Sequence, residues 1–299
     1  RNTVCGWIMA AFDVCKPLKE VLWQEIIKSG YIQADETPLQ VMNEPGRSNT
    51  QKSYMWVYQS LADKPLILFD YRPTRQALWP QQMLADFKGY LQTDGYKGYD
   101  WVADKSNIIH LGCMVHARRP FAEMVKLAKK TGKSHQAIAL FQKLYAIEKY
   151  ARDNKLTHEQ RYQLRLEKQK PILDELFVFV DKSLVHAAPQ SKLQNALLYI
   201  KQRQSELSNY LLNGMLEIDN NLTENQIRPF ALGRKNWLFS ASPNGAHASA
   251  FFYSLIASAS ANSLNPFDYL HHLFLNIRSC KSNNDFINLL PTNIILTNK

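Results

Sequence analysis

The pattern of hydrophobic residues changes near Ala117, and this change restricts the fold more than any other feature of the sequence. Before it, five short segments have the apolar or alternating character of β-strands: 31–34, 54–59, 66–71, 89–93 and 108–113. After it, the residues up to Leu212 have helical periodicity and almost no strand signal. This order predicts an α/β protein that contains a large all-helical insertion.

Helical patterns also flank and separate the predicted strands. They cover residues 4–29, 74–87, 99–103, 222–230, 246–261 and 266–277, and Pro17 is expected to kink or divide the first. The first three strands can form an antiparallel meander, and the last two return through helical crossovers. We therefore expect a mixed five-stranded sheet with flanking helices, in the element order of the ribonuclease-H-like fold.

The composition indicates which class of partner the protein binds and which compartment it occupies. The formal net charge of +10 favours a polyanionic partner, although many basic proteins bind no nucleic acid. The four cysteines are widely separated and include no C-x-x-C pair, so neither a disulfide framework nor a closed zinc site is expected. This usage favours a reducing compartment such as the cytoplasm. No apolar stretch approaches the roughly 18 residues of a membrane span, so no membrane partner is expected.

Acidic residues follow two of the predicted strands. Asp35 comes directly after the first strand, Asp94 ends the fourth, and Glu224 stands at a helix start. Neighbouring carboxylates repel one another unless a cation lies between them, and Mg²⁺ prefers such oxygen ligands. Two ions held together can catalyse phosphoryl displacement. The same acids are suited to turn and helix-cap roles, so the residues alone leave the two interpretations balanced.

Other acids are weaker candidates for a metal. Glu36 is next to Asp35, but successive strand residues face opposite sides, so we expect Glu36 to point away from the ions. Asp70 is expected to be a surface or turn acid, and Asp219 is expected to cap the helix that carries Glu224.

Seven motifs extend in order over nearly the whole chain. They are ADETPLQVMNEPGR (34–47), LFDYRPTR (68–75), GYLQTDGYKGY (89–99), GCMVHARRPF (112–121), DNNLTENQIRP (219–229), ALGRKNWLFSASPNGAHASAFFYSLIASASANSLNPFDYL (231–270) and LLPTNI (289–294). Each is moderately specific, and all seven in order are highly specific. With these motifs the chain closely resembles the IS-66 group of insertion-sequence transposases, within the DDE superfamily.

The resemblance implies a ribonuclease-H-like catalytic domain with a triad of acids. The catalytic and metal-binding residues would be Asp35 in DETP, Asp94 in QTDGY and Glu224 in DNNLTE. The resemblance also implies two Mg²⁺ or Mn²⁺ ions per active site and a reaction of DNA strand cleavage followed by strand transfer. The partners would be DNA, as transposon ends and target, and further copies of the chain assembled on that DNA. The reaction would take place in the bacterial cytoplasm.

The long separation of Asp94 from Glu224 places the helical insertion inside the catalytic domain. We expect an N-terminal helical segment (1–30), a first part of the core (31–117), the insertion (118–212), a last part of the core (213–278) and a C-terminal tail (279–299). Because the chain begins at Arg1 rather than Met, we also expect it to be the C-terminal part of a longer protein.

Basic residues near the triad in the sequence are candidates for contact with DNA phosphates. The candidates are His116, Arg118, Arg119, Arg228, Arg234 and Lys235. A plain solvated surface is almost as good an interpretation for each of them. Cys113 and His116 form a C-x-x-H pair, which has too few ligands for a metal, so packing is the favoured interpretation.

Three functions remain open from the sequence. The first is a transposase, and the second is a nuclease of the same fold that cuts DNA without joining it. The third is a non-catalytic DNA-binding relic, because Asn225 stands where the resembled group usually has Arg and because we expect the N-terminal region of that group to be missing. The long helical insertion and the C-terminal motifs favour the transposase.

Overall fold

A computed structural model describes residues 2–294 of the chain. Its sheet has the order β3-β2-β1-β4-β5. The strands are β1 (Tyr31–Gln40), β2 (Lys52–Ser60), β3 (Ile67–Arg72), β4 (Gly89–Gln92) and β5 (Ile108–Leu111). Strands β1, β2 and β3 are antiparallel, as expected for a meander. The backbone hydrogen bonds from Gly89 to Asn107 and from Thr93 to Leu111 advance in the same direction, so β4 and β5 are parallel. The predicted mixed five-stranded sheet is confirmed.

Strand β1 is longer than the sequence predicted. It continues six residues beyond Ala34, so Asp35 lies inside the strand, where its Cα is paired with that of Val57. Burial alternates through the second half of the strand, with Thr37 and Leu39 buried and Pro38 exposed. The acidic pair Asp35 and Glu36 interrupts the apolar run, and for that reason the predicted strand ends too early.

The described residues contain twelve α-helices. They are α1 (Asn2–Lys28), α2 (Leu78–Met83), α3 (Met114–Leu127), α4 (Lys133–Asp153), α5 (His158–Leu164), α6 (Lys170–Leu184), α7 (Lys192–Gln202), α8 (Gln204–Ser208), α9 (Asn221–Trp237), α10 (Pro243–Ala261), α11 (Pro266–Asn276) and α12 (Asn283–Asn288). Short 3-10 helices cover Lys97–Asp104, Asn209–Leu212 and Ile277–Ser279, and a π-helical turn covers Arg165–Gln169. Every element between Met114 and Leu212 is therefore helical.

Some helix predictions need correction. Helix α1 runs without division through Pro17, and α2 covers only part of the predicted helix 74–87. The segment 99–103 is part of a 3-10 helix. The predicted tail 279–299 contains α12, while its residues 295–299 lie outside the described part of the chain.

The chain divides into two compact units. The first contains residues up to 91, 97–108 and 222 onward, and the second contains 92–96 and 109–221. The second unit takes in the whole segment 118–212 and also the segment that carries Asp94.

In the first unit, one face of the meander packs against α9 and α10. The buried cluster consists of Leu39, Val41, Met55, Val57, Ile67, Phe69, Tyr71, Ile227, Phe230, Ala246 and Ala250. Strand β3 lies at the edge of the sheet, and its Ile67 and Phe69 amides donate to the hydroxyls of Ser258 and Ser254 at 2.8 Å. These serines of α10 thereby satisfy an edge that would otherwise present unpaired amides.

The opposite face of the meander packs against α1. Trp23 of α1 makes an edge contact with Tyr58 on β2. Asp70 on β3 is 1% exposed and pairs with Lys19 and Arg72, so it is a buried acid and not the surface or turn acid that we expected.

The second unit contains a buried network of charges. The Arg165 side chain is fully buried and donates to both carboxylate oxygens of Glu148 at 2.8 and 3.0 Å. Arg165 also donates to the carbonyls of Tyr210 and Asn213, and Arg161 bridges Glu148 and Glu217. The network thus ties α4 and the α5 region to the segment 210–217 that precedes α9.

We expect acid to destabilise this unit through Glu148. Burial raises the pKa of this carboxyl, but the hydrogen bonds and charges of Arg165 and Arg161 outweigh burial and hold the pKa below its usual 4.5. The resulting stability is present above pH 4.5 and is lost as pH falls through the lower folded-state pKa. Urea unfolding between pH 7 and pH 3 measures it. A Glu148→Gln variant with the same pH dependence as the parent would show that this carboxyl is not responsible.

Candidate functional site in two parts

The first part of the candidate site is on β1. Asp35 is half-buried, and its Oδ1 accepts the amide of Glu36 at 2.8 Å. Glu36 faces the other side of the sheet, where its side chain is 1% exposed and pairs with Arg75. The alternation that we expected for these two neighbours is therefore present in the strand, and the partner of Glu36 is an arginine.

A buried polar cluster fixes the helix that carries Glu224. Gln33 is two residues before Asp35 on the same side of β1, and its register partner on β2 is Gln59. The Thr223 amide and hydroxyl donate to Oε1 of Gln33 at 3.3 and 3.1 Å, and the hydroxyl lies 3.3 Å from Oε1 of Gln59. Glu224 follows Thr223 directly, in the first turn of α9.

The other end of α9 is also attached to β1. Arg234 donates from Nη1 to Oγ1 of Thr37 at 3.0 Å and to the carbonyl of Pro38. From Thr223 to Arg234 the helix rises roughly 16 Å, and β1 extends about 13 Å from Gln33 to Thr37. Helix α9 therefore runs along the side of β1 that presents Asp35. The guanidinium of Arg234, which we proposed for DNA, is used at least in part to hold this helix.

Replacing Thr223 with valine tests the attachment of α9 to β1 at the N-terminal end of the helix. The change keeps the shape of the side chain but removes the hydroxyl, which lies within hydrogen-bond distance of the buried amide oxygens of Gln33 and Gln59. We therefore expect the free energy of unfolding to fall by about 1–3 kcal/mol. Urea unfolding measures the loss, and exposed Leu222→Ala, a neighbour on the same helix turn, is the control. If Thr223→Val were as stable as the parent, the cluster of Gln33, Gln59 and Thr223 would not be what holds α9 on β1.

The second part of the candidate site lies in the second unit. Asp94 stands two residues after β4, and its Oδ1 accepts the amide of Tyr96 at 2.8 Å. The Asp94 residue is half-buried. Among residues 2–294, no three or more His, Cys, Asp or Glu side chains are grouped so that they could hold a metal ion. The convergence of Asp35, Asp94 and Glu224 on one pair of ions stays a prediction.

The C-x-x-H pair has the environment of packed residues. Cys113 is fully buried, and burial raises the pKa of its thiol to about 12, which disfavours the thiolate that a metal binds. Its sulfur accepts the Asn220 amide at 3.5 Å. Next to it, Asp219 accepts the amide of Asn221, the first residue of α9, at 3.1 Å, in agreement with its predicted role at the helix start.

The other candidates for DNA contact differ in exposure. His116 and Arg118 are half-buried on α3, whereas Arg119 is exposed. Arg228 and Lys235 are exposed on α9. Trp237 packs against the core of the first unit, which favours a structural role for this aromatic residue.

Sequence reasoning missed Gln33, Gln59 and Thr223. A glutamine at a buried position of an apolar strand is a usable signal, because a buried amide needs a partner. The identity of that partner was not readable, since Thr223 is 190 residues away from Gln33.

Comparison with known proteins shows the family. The model of the Transposase IS66 family matches residues 1–248, so the chain belongs to this family of insertion-sequence transposases. Among its relatives are two uncharacterized proteins of Sinorhizobium fredii: y4qI is 28% identical over 98% of this chain and 56% of its own length, and y4jD is 30% identical over 98% and 59%. The chain thus spans less than three fifths of the length of these relatives.

No solved structure matches the chain. In the described range, none of the helices combines the length and the apolar character that crossing a membrane requires.

Proposed function

We propose that the chain is the catalytic part of a DDE transposase, which cleaves DNA strands and transfers them with a ribonuclease-H-like core. The observation that carries the proposal is the attachment of α9 along β1. Through Thr223 and Gln33 it sets the helix of Glu224 on the side of the sheet that presents Asp35. Membership of the IS66 transposase family supports the activity.

The sheet supports the ribonuclease-H-like part of the proposal. The antiparallel β1-β2-β3 meander is followed in the sheet by β4 and β5, in the order expected from the element sequence. We propose that segments 31–117 and 213–278 form this core and that 118–212 is its helical insertion, with 1–30 before and 279–299 after.

Asp35, Asp94 and Glu224 would hold two Mg²⁺ or Mn²⁺ ions. Their carboxylates have the oxygen chemistry that these ions prefer, and Asp35 and Asp94 each direct one oxygen by a backbone amide at 2.8 Å. When bound, the ions would supply activation of the attacking oxygen and stabilisation of the leaving oxygen. The proposal requires the cations to gather the three acids, because carboxylates without a cation repel one another.

The residues of the chain would bind and orient DNA around this centre. Exposed Arg119, Arg228 and Lys235, with half-buried Arg118 and His116, would contact phosphates of the transposon ends and target. Further copies of the chain would assemble on the same DNA, in the bacterial cytoplasm where that DNA resides.

We expect the phosphate contacts to be visible in the salt dependence of binding. Each contact adds roughly 0.9 to the slope of log affinity against log salt, so Arg228→Ala and Lys235→Ala should each lower the slope by about that amount. Fluorescence anisotropy with duplex DNA between 50 and 200 mM salt measures it, with Lys168→Ala as a control on an exposed site of the helical unit. Unchanged slopes in both variants would show that Arg228 and Lys235 do not contact DNA phosphates.

Titration calorimetry with Mn²⁺ tests the metal centre. Parent chain should bind the ion, and Asp35→Asn, Asp94→Asn and Glu224→Gln should each weaken binding, whereas exposed Asp100→Asn should not. Equal binding by the parent and all three triad variants would refute the triad as the ligand set.

A further inference from the structure

Two side chains at the end of helix α7 hold the backbone of the two consecutive peptide groups that follow Asp94. The Tyr199 hydroxyl donates to the carbonyl oxygen of Asp94 at 2.8 Å. Arg203, one residue beyond α7, donates from Nη2 to the carbonyl oxygen of Gly95 at 2.9 Å. Two consecutive carbonyls of the short segment after β4 are therefore held by two side chains from the helical segment 118–212.

The two side chains also support each other. The guanidinium carbon of Arg203 lies 4.8 Å from the centre of the Tyr199 ring, a stacked cation–π arrangement. Neither side chain is exposed, and each therefore has limited freedom to leave the Asp94 segment. A preorganised pair loses less entropy when it holds a backbone segment than two free side chains would.

Gly95 makes this close approach possible. Its φ of +84° is in the left-handed region, and a Cβ atom there would lie 2.5 Å from Oη of Tyr199 and 2.8 Å from Nε of Arg203. Only glycine combines this backbone conformation with room for the pair. The segment and the two side chains are thus matched in shape as well as in hydrogen bonding.

The hydrogen bonds to the backbone also affect the orientation of the Asp94 carboxylate. Oδ1 of Asp94 accepts the amide of Tyr96, so the direction of the side chain depends on the path of the backbone from Asp94 to Tyr96. The carbonyls that Tyr199 and Arg203 hold lie on that path. The Gly95 carbonyl, which Arg203 holds, is in the same peptide group as the Tyr96 amide, and the Asp94 carbonyl, which Tyr199 holds, is in the peptide group before it. A shift in the first would turn the Tyr96 amide directly, and a shift in the second would turn it through Gly95, so either shift would weaken the hydrogen bond that orients the carboxylate.

We propose that Tyr199 and Arg203 are positioning residues for Asp94, so that the helical segment 118–212 fixes the second acid of the triad. This inference rests on the proposed function, in which Asp94 is a catalytic acid. It assigns to the helical segment a task inside the active site in addition to any contact with DNA.

Hydrogen exchange of the metal-free chain tests directly whether Tyr199 and Arg203 hold the segment from Asp94 to Tyr96. Tyr199→Phe and Arg203→Met should each speed exchange of the Tyr96 amide by about tenfold. Each variant removes one hydrogen bond to a backbone carbonyl of the segment in which the Tyr96 amide is held by Asp94. The controls lie at exposed positions of the same unit: Tyr150→Phe makes the same change as Tyr199→Phe, and Lys201→Met, like Arg203→Met, replaces a cation with methionine. Melting curves should show that all four variants remain folded. Exchange at Tyr96 as slow as in the parent, in both test variants, would overturn the proposal.

Cleavage by the full-length protein tests the consequence. Tyr199→Phe and Arg203→Met should lower kcat about tenfold and leave KM for DNA unchanged, since DNA contacts are untouched. Arg203→Lys, which keeps a donor, should recover part of the loss. Unchanged kcat in both variants, with Asp94→Asn inactive, would overturn the positioning role. Full activity of Asp94→Asn would instead refute the proposed function, and the exchange rates would still decide whether the pair holds the segment.

Discussion

Replacing Asp94 with asparagine is expected to lower DNA cleavage by on the order of a thousandfold or more, equivalent to about 4 kcal/mol of transition-state stabilisation. In the proposed site the change removes a charged metal ligand, and an amide is a much poorer ligand for Mg²⁺. Stability should be nearly unchanged, because Asp94 is half-buried and the asparagine oxygen can still accept the Tyr96 amide.

The two effects are measured separately. A Mg²⁺-dependent cleavage assay on DNA that carries the ends of the element gives the activity, and a melting curve without metal gives the stability. Asp100→Asn removes a charge from an exposed acid six residues away and should change neither. Cleavage by Asp94→Asn at the parental rate would exclude Asp94 from the triad, and a much lower melting temperature would make it a structural residue.

Replacing Arg165 with alanine is expected to cost about 3–5 kcal/mol of unfolding free energy, the largest stability effect that we predict. The arginine is fully buried, and its loss would strip Glu148 of two hydrogen bonds and leave the carbonyls of Tyr210 and Asn213 without this donor. A buried carboxylate with reduced compensation is costly to keep charged.

Urea unfolding of the chain measures this loss. Lys168→Ala, on the same π-helical turn, removes an exposed cation whose partner is exposed Glu167, and it should change stability by less than about 1 kcal/mol. A loss of under 1 kcal/mol for Arg165→Ala would mean that the network contributes little to the second unit.

The sequence was informative about the fold because periodicity is local. Strands β2 and β3 differ from the predicted segments by only one or two residues at their ends, since their apolar runs have clear limits. The sequence predicts too short a strand β1 because the acidic side chain of Asp35 breaks the apolar pattern inside the strand. The kink or division predicted at Pro17 is wrong, since α1 continues through this residue.

The candidate site was predictable only in part. Motifs pointed to Asp35, Asp94 and Glu224, because acids with these neighbours are visible in a single sequence. The residues that hold them were not visible: Thr223 meets Gln33, and Tyr199 meets Asp94, over separations of more than a hundred residues. Such contacts depend on how elements pack, which periodicity does not specify.

Strand transfer is the measurement that tests the central claim most directly. Full-length protein would be incubated with Mg²⁺, precleaved element ends bearing a 3′-hydroxyl, and a target plasmid. We predict covalently joined products with the parent protein and with Asp100→Asn, and none with Asp35→Asn, Glu224→Gln or excess chelator. Cleavage without any joined product would indicate a nuclease, and joining that survives loss of Asp35 and Glu224 would contradict the proposed triad.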